Sequence, residues 1–437
     1  MVSSKPAKVM SLILIGAAVI GASFCTNAQG DSRAHPAADS GSASGSTAVA
    51  AAGTRPALTP EQIKFYRELA SSAWPYMDAN YRKSTGLVSA TPNWANTTVW
   101  DIGGQLLAFH AAKELGLLSP ADYDTRTTRL LATLQKVPLF RGTAFNRVYS
   151  TIDGSVGEGG GHGYAATDLG RLLIALKVVS VNEPKFAPRI ARIVKRIDFT
   201  KVVKDGYLQG QLIGTNGKPV AFQEGRIGYE QYAARGFSAW GADVANALDV
   251  KKNGTPVTVL GVPLLADARW QDRLLSEPFI LYGLELGMPP DVQELATNVL
   301  RAQQARYDST GTMTIATEDA SSVGPDYFYY YCVYCNRKPF VIDVATSSKD
   351  LDAPRWVSTK AAFGWQALMP SPYTQKAVDF VAPAKDAKRG WASGVDERSG
   401  ASTNAWDVNT ASVLLEVADF QLRGGKPLIE KASIPAP

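Results

Sequence analysis

The chain has 437 residues, 45% hydrophobic and 9% aromatic, enough for one large folded domain or two ordinary ones. Its 38 glycines and 25 prolines are ordinary usage, which excludes collagen-like and wholly disordered chains. The net charge of +5 falls by two, to +3, once Lys5 and Lys8 are set aside with a removable N-terminal segment; no basic block remains to bind nucleic acid, and three cysteines with three histidines leave little for a metal cluster.

The first elements read as export machinery. Lys5 and Lys8 precede an apolar run from Val9 to Phe24, followed by small and polar residues, the layout of a secretory signal over residues 1–28. The run is short for a transmembrane helix of ~20 residues, so no membrane span is expected after processing. Cleavage after Ala28 fits, giving a periplasmic or secreted protein. Cys25 raises lipid anchoring as an alternative, against which bulky Phe24 counts. Residues 29–58 are rich in Ser, Ala and Gly without hydrophobic periodicity and predict a flexible tether.

A single domain is expected over 59–437. Thr59, Pro60 and Gln62 form a capping signature for a helix carrying Ile63, Tyr66, Leu69 and Ala70 on one face. Ser119-Pro120-Ala121-Asp122 opens a second, with Leu130, Leu131 and Leu134 aligned. Further helices are predicted near Glu183–Asp198, Tyr229–Asp249, Arg269–Leu286, Pro290–Ala305, Thr359–Met369 and Ala405–Arg423, about a dozen in all. Tyr207–Glu224 contains Asn216-Gly217, a hairpin signal.

Three helix starts are alike: Trp100-Asp101-Ile102-Gly103, Thr167-Asp168-Leu169-Gly170 and Trp406-Asp407-Val408-Asn409. Each places an Asp where an N-cap belongs, ahead of an apolar face. A fourth stretch puts Trp240 and Asp243 on a small-residue helix. Repeated helix pairs predict an all-α array, closed into an (α/α)6 toroid with short β-hairpin insertions, whose inner-helix N-termini gather around one pocket.

At these residues the chain resembles a known family. TTVWDIGGQLLAFHAAKELGLLS, GYAATDLGRLLIAL, GYEQYAARGFSAWG, PDYFYYYCVYCNRKPF, WVSTKAAFGWQAL and GVDERSG with NTASVLLEVADFQLRGG are similar, in order, to blocks of the bacterial domain-of-unknown-function family 3131. The match runs from about Phe65 to Lys426. That family resembles glucoamylase-like (α/α)6 toroids, including the domain in cyclic-glucan synthases and several β-1,2-glucanases. The resemblance implies an exported glycoside hydrolase acting on a β-glucan, β-1,2-glucan-like, or an exopolysaccharide.

Glycoside hydrolysis needs a protonated carboxylic acid at the leaving oxygen and a second carboxylate. Glu230, between Tyr229 and Tyr232 at a helix start, is the first candidate for the acid; a favourable first-turn charge is the plainer explanation. Asp101 and Asp168 are the candidate bases, beside Trp100 and Arg171, with helix capping as their structural alternative. Glu397 matches a carboxylate position of the family's closing block, where tyrosine more often precedes the Glu; Asp396 there is a departure. It is a candidate sugar ligand, or a solvated loop charge.

Trp100, Tyr164, Tyr229, Trp240, Tyr330 and Trp406 are candidate sugar platforms, of which core packing claims about half. The loop from Gly154 to Tyr164 lacks phosphate-loop spacing and fits a flap over a cleft, or a plain connection; His162 at its end is a further candidate contact. Cys332 and Cys335 predict a local disulfide. No metal or other cofactor is expected, and the partner is a polysaccharide or oligosaccharide. The alternatives are a non-catalytic polysaccharide-binding or envelope-assembly protein, and a polysaccharide lyase in which Arg171 and Arg226 neutralise a uronate.

Overall fold

The computed structural model describes residues 55–157, 161–214, 216–267, 269, 271–322, 328–344 and 353–431. The export signal, Cys25, most of the tether and residues 158–160 of the predicted flap lie outside them. The end of the tether is docked: Arg55 Nη1 donates to the Ala367 carbonyl at 2.8 Å and its guanidinium lies 4.9 Å over the Phe420 ring.

Helices dominate. In chain order they are α1 (Pro60–Ala79), α2 (Val99–Glu114), α3 (Pro120–Leu134), α4 (Ala166–Asn182), α5 (Ala187–Val194), α6 (Phe199–Val202), α7 (Tyr229–Ser238), α8 (Ala245–Leu248), α9 (Val250–Asn253), α10 (Glu277–Leu281), α11 (Pro290–Thr310), α12 (Thr359–Leu368), α13 (Pro372–Phe380) and α14 (Val408–Leu422). The α1 start is the one expected: Thr59 Oγ1 accepts from Gln62 N and Gln62 Oε1 from Thr59 N. Six helices make a closed circuit: α2 packs on α4, α4 on α7, α7 on α10, α10 on α12, α12 on α14, and α14 back on α2. Every residue of α14 and nearly all of α2 are buried, as required of helices enclosed on all sides. Against this circuit lie α1 on α14, α3 on α2, α5 on α4, α11 on α10 and α13 on α12. The α4–α7 crossing depends on bare backbone, since a methyl at Gly170 would overlap Ala233.

Three predicted helices are shorter than expected. Pro184 and Pro188 break the 183–198 stretch into a 3-10 turn and α5. Gly241, at φ +88°, ends the run after α7 and leaves only α8 beyond it. The 269–286 stretch starts at Glu277, because Leu274 pairs with Tyr334 instead: each of Leu274 N and Val333 N donates across at 2.8 and 2.9 Å. From α10 the chain continues as a π turn over Tyr282–Leu286.

The strands are short and mostly antiparallel pairs between helices. Tyr207–Ile213 pairs with Pro219–Gln223 around the Asn216-Gly217 turn, as expected, and also with Gly163–Tyr164 and Val203–Lys204. Gly254–Val259 pairs with Val262–Asp267. Phe328–Tyr331 is the centre of a three-stranded sheet between Glu318–Ala320 and Ile342–Val344. Cys332 and Cys335 are joined by a disulfide just beyond that central strand.

Candidate active site

The inner helices begin at a common end. Trp100 at the start of α2 donates Nε1 to Glu277 Oε1 at the start of α10 (3.2 Å), and Asn409 at the start of α14 donates Nδ2 to the same oxygen (2.7 Å). Lys360 at the start of α12 pairs with Glu277 Oε2 at 2.6 Å. Trp100 also packs tilted against Tyr229 and edge-on against Tyr232 of α7, with centroids 5.7 and 5.9 Å apart.

The three aspartates expected to cap helices divide between roles. Asp407 is the N-cap of α14 and accepts from Thr410 N at 2.7 Å. Asp101 stands three residues inside α2, where Thr98 is the cap; the Thr98 hydroxyl donates to Asp101 Oδ2 at 2.7 Å. Burial pushes the Asp101 carboxyl up to about 6. Asp168 also stands inside its helix, and α4 has no local side-chain cap. Glu224, from the end of the Pro219–Gln223 hairpin, supplies that cap: Oε1 accepts from Ala166 N at 2.8 Å, and Oε2 from the Thr167 hydroxyl at 2.7 Å. Asp168 is half-buried, and burial pushes its carboxyl up to about 7, against the pull of Arg147 and Arg226.

Below this mouth runs a buried ionic axis. Arg171, on α4, is fully buried; Nη1 donates to Asn409 Oδ1 at 2.7 Å, and the guanidinium lies 4.8 Å from the Trp100 ring. Glu277, Glu285 and Glu416 surround it at 4.0, 3.8 and 3.5 Å. Burial pushes Glu285 up to about 7 and Glu416 well above the carboxylate range. One guanidinium thus faces three glutamates, two of which burial draws toward the neutral form. Arg171 builds the floor of the mouth from below.

Glu318 closes the mouth from above and was not among the residues singled out in the sequence. Its strand is fastened to the start of α10: Ser276 N donates to the Ala316 carbonyl (3.3 Å) and Glu277 N to Thr317 Oγ1 (3.0 Å). The neighbouring Asp319 points into the ring, accepting from the Ser358 hydroxyl at 3.1 Å with Lys360 Nζ at 3.6 Å. Strand alternation then gives Glu318 the other face, where it is half-exposed opposite Tyr330. Burial, then the negative charge of Glu277, push the Glu318 carboxyl up to about 7. Glu318 is among the charges acting on Asp168, and both act with Arg226 in one mouth. Tyr229 and Tyr330 flank them, under the guanidinium groups of Arg226 and Arg273, each 4.4 Å from its ring.

Other sequence candidates fall elsewhere. Glu230 is fully buried on a different face of α7 from Tyr229; Oε2 pairs with Arg269 Nη2 at 2.6 Å, and Oε1 accepts from Leu208 N and Gln223 Nε2. It ties α7 to the hairpin, although burial pushes its carboxyl up to about 7. Glu397 is held by Arg306 through two bonds of 2.9 and 3.0 Å and by the Tyr331 hydroxyl at 3.1 Å. Trp240 follows the C-terminal end of α7, away from the mouth, and donates Nε1 to the Leu173 carbonyl. Tyr164 is buried against Phe140 and donates to the Lys201 carbonyl. Trp406 lies at the mouth end beside Asp407, with the Arg389 guanidinium 3.8 Å over its ring. His162 is exposed. The described residues bring His110, Glu114 and Glu183 within 4.8 Å, but Lys113 already places its ammonium on both glutamates.

The helical circuit is a fold shared with several solved structures. It is similar to a glucoamylase-like protein of Bacteroides caccae (14% identity, TM-score 0.60, covering 84% of this chain and 94% of that one). It is equally similar to an endo-β-1,2-glucanase of Chitinophaga pinensis bound to sophorotriose and glucose (15% identity, TM-score 0.60, 85% and 94%). An endo-β-1,2-glucanase of Talaromyces funiculosus with β-1,2-glucan matches at 12% identity and TM-score 0.55, over 83% and 86%. No curated protein matches the chain. Residues 68–424 match the family described as protein of unknown function DUF3131, and the chain belongs to that family.

Proposed function

We propose that this protein is an exported glycoside hydrolase whose helical circuit is an (α/α)6 toroid over residues 59–437, cutting a β-glucan or a related exopolysaccharide. The observation that carries the reading is the pair Asp168 and Glu318: two half-buried carboxyls acting on one another at the mouth, both drawn toward neutral pH and flanked by Tyr229 and Tyr330. Similarity of fold to the β-1,2-glucanases supports the substrate class.

The largest charge acting on each carboxyl divides the labour, although Lys360 and Arg226 oppose it at Glu318, and Glu224 opposes it at Asp168. Glu277 is negative and favours the neutral form of Glu318, which is the form that gives a proton to a leaving oxygen. Arg147 is positive and favours the ionised form of Asp168, the form that acts on water or on carbon. Half-buried Tyr330 offers an aromatic surface for a sugar face, and Trp100 with the fully buried Tyr229 packs behind it, fixed by Arg171 and Glu277. Asp101 serves the start of α2, and Glu230 and Glu397 support the walls through their arginines.

The experiment is incubation of the exported protein with a panel of bacterial β-glucans, reading new reducing ends. Release from at least one polymer that disappears in both Asp168→Asn and Glu318→Gln is the expected result. Binding with no release from any polymer would instead fit a non-catalytic envelope protein.

A further inference from the structure

Several buried or half-buried cations around the ring have acidic partners. Arg171 has its three glutamates, Lys360 has Glu277 and Asp319, Arg269 has Glu230 and Asp267, Arg273 has Asp343, and Arg306 has Glu397. Arg147 and Arg226, at the mouth, have none among the described residues. Both are half-buried, both act on Asp168 and Tyr330, and neither guanidinium makes a hydrogen bond or ion pair among the described residues. Arg226 rests only on the Tyr229 ring, at 4.4 Å. Their backbones fix them in place: Arg147 N donates to the Gly161 and Gly163 carbonyls, and the Arg226 carbonyl accepts from Glu230 N in the first turn of α7.

Partly removing a guanidinium from water without a partner costs free energy that a bound group must return. The acidic neighbours do not return it. Glu224 has committed its oxygens to capping α4, and neither Asp168 nor Glu318 makes a hydrogen bond or ion pair to either guanidinium among the described residues. The mouth therefore presents two planar donor forks, with no acceptor bonded to them among the described residues, beside the N-termini of α4 and α7. Two forks of that kind match an oxyanion with paired acceptor oxygens. We propose that the glycan accepted in this mouth carries an anionic substituent, a carboxylate or a phosphodiester, on or beside the sugar at the cleaved bond, and that Arg147 and Arg226 hold it. This rests on the mouth being a glycan site, and it names the class of glycan.

Binding tests it separately from hydrolysis. The intact protein is titrated with four probes: a uronate-containing bacterial exopolysaccharide, its carboxyl-reduced derivative, a phosphoglycerol-substituted β-glucan, and the same glucan stripped of phosphoglycerol. The wild-type protein is expected to bind one charged polymer at least about tenfold tighter than its neutral counterpart, with that advantage shrinking between low and high salt. The pair that shows the difference identifies the source of the anion. Arg147→Gln and Arg226→Gln should each lose about tenfold on the charged polymer and little on the neutral one. Equal wild-type binding within both pairs, no binding to any probe, or a preference that survives both substitutions would overturn the proposal. The neutral-derivative comparison needs no variant, so a misfolded substitution does not decide it. Reducing ends measured on the same four polymers report on the hydrolase reading by itself.

Discussion

The carboxylate of Glu224 takes the capping position that would otherwise fall to Asp168. Its two oxygens accept from Ala166 N and from the Thr167 hydroxyl, and Asp168, in the first turn of the same helix, makes no hydrogen bond to it. One acid builds the helix start and the other is released toward the mouth. Glu224→Gln keeps the shape but weakens acceptance at both donors, and should cost about 1 kcal/mol of stability. Chemical denaturation of the two proteins side by side checks it.

Glu277 stands next to the strand that carries Glu318, and its negative charge helps keep Glu318 protonated. Glu277→Gln should therefore lower the Glu318 pKa and move the alkaline limb of the pH–rate profile to lower pH. A profile of kcat/KM against pH reads the shift directly; an unmoved limb would detach Glu318 from the proton-donor role.

Asp168, Glu230, Glu285, Glu318 and Asp419 are all pushed up to about 7 by burial, and Asp101 to about 6. In the unfolded chain these groups titrate near 4. Between about pH 4 and 7 the folded state binds more protons than the unfolded one, so stability contributed by these groups is complete below that window and is lost as pH rises through it. The melting temperature should be higher at pH 5.5 than at pH 8. Thermal melts across that range test the sign.

Cys332 and Cys335 are bonded beside the strand that presents Tyr330. Thiol labelling of the purified protein should leave both unmodified until a reductant is added. Labelling without reductant would show the pair open.

Local signals carried much of the fold. The capping box at Thr59 and the Ser119-Pro120 start are complete within four residues, and both helices begin where that chemistry puts them. The hairpin turn at Asn216-Gly217 was equally legible. At the inner helices, Thr98 and Asp101 are both competent caps, and only the built backbone shows that the threonine caps α2. Glu230 is the first candidate in the sequence because two tyrosines flank it at a helix start; one step along a helix turns the side chain by about 100°, and Glu230 faces Arg269. Trp240 was placed with the same group, but α7 carries it about 15 Å away from the helix start. Glu318 left no local signal. It reaches the mouth because its strand pairs with Phe328–Tyr331 and is pinned to α10, contacts set by topology.

The central claim is that Glu318 gives the proton. The most direct measurement compares turnover of Glu318→Gln and Glu230→Gln with the wild-type protein on whichever glucan releases reducing ends, each variant confirmed as folded. Glu318→Gln is expected to fall about 10²–10⁴-fold in kcat with substrate still bound, the usual contribution of a general acid, while Glu230→Gln keeps near-normal turnover. Near-normal turnover in folded Glu318→Gln, or a collapse in Glu230→Gln with its fold intact, would contradict the account.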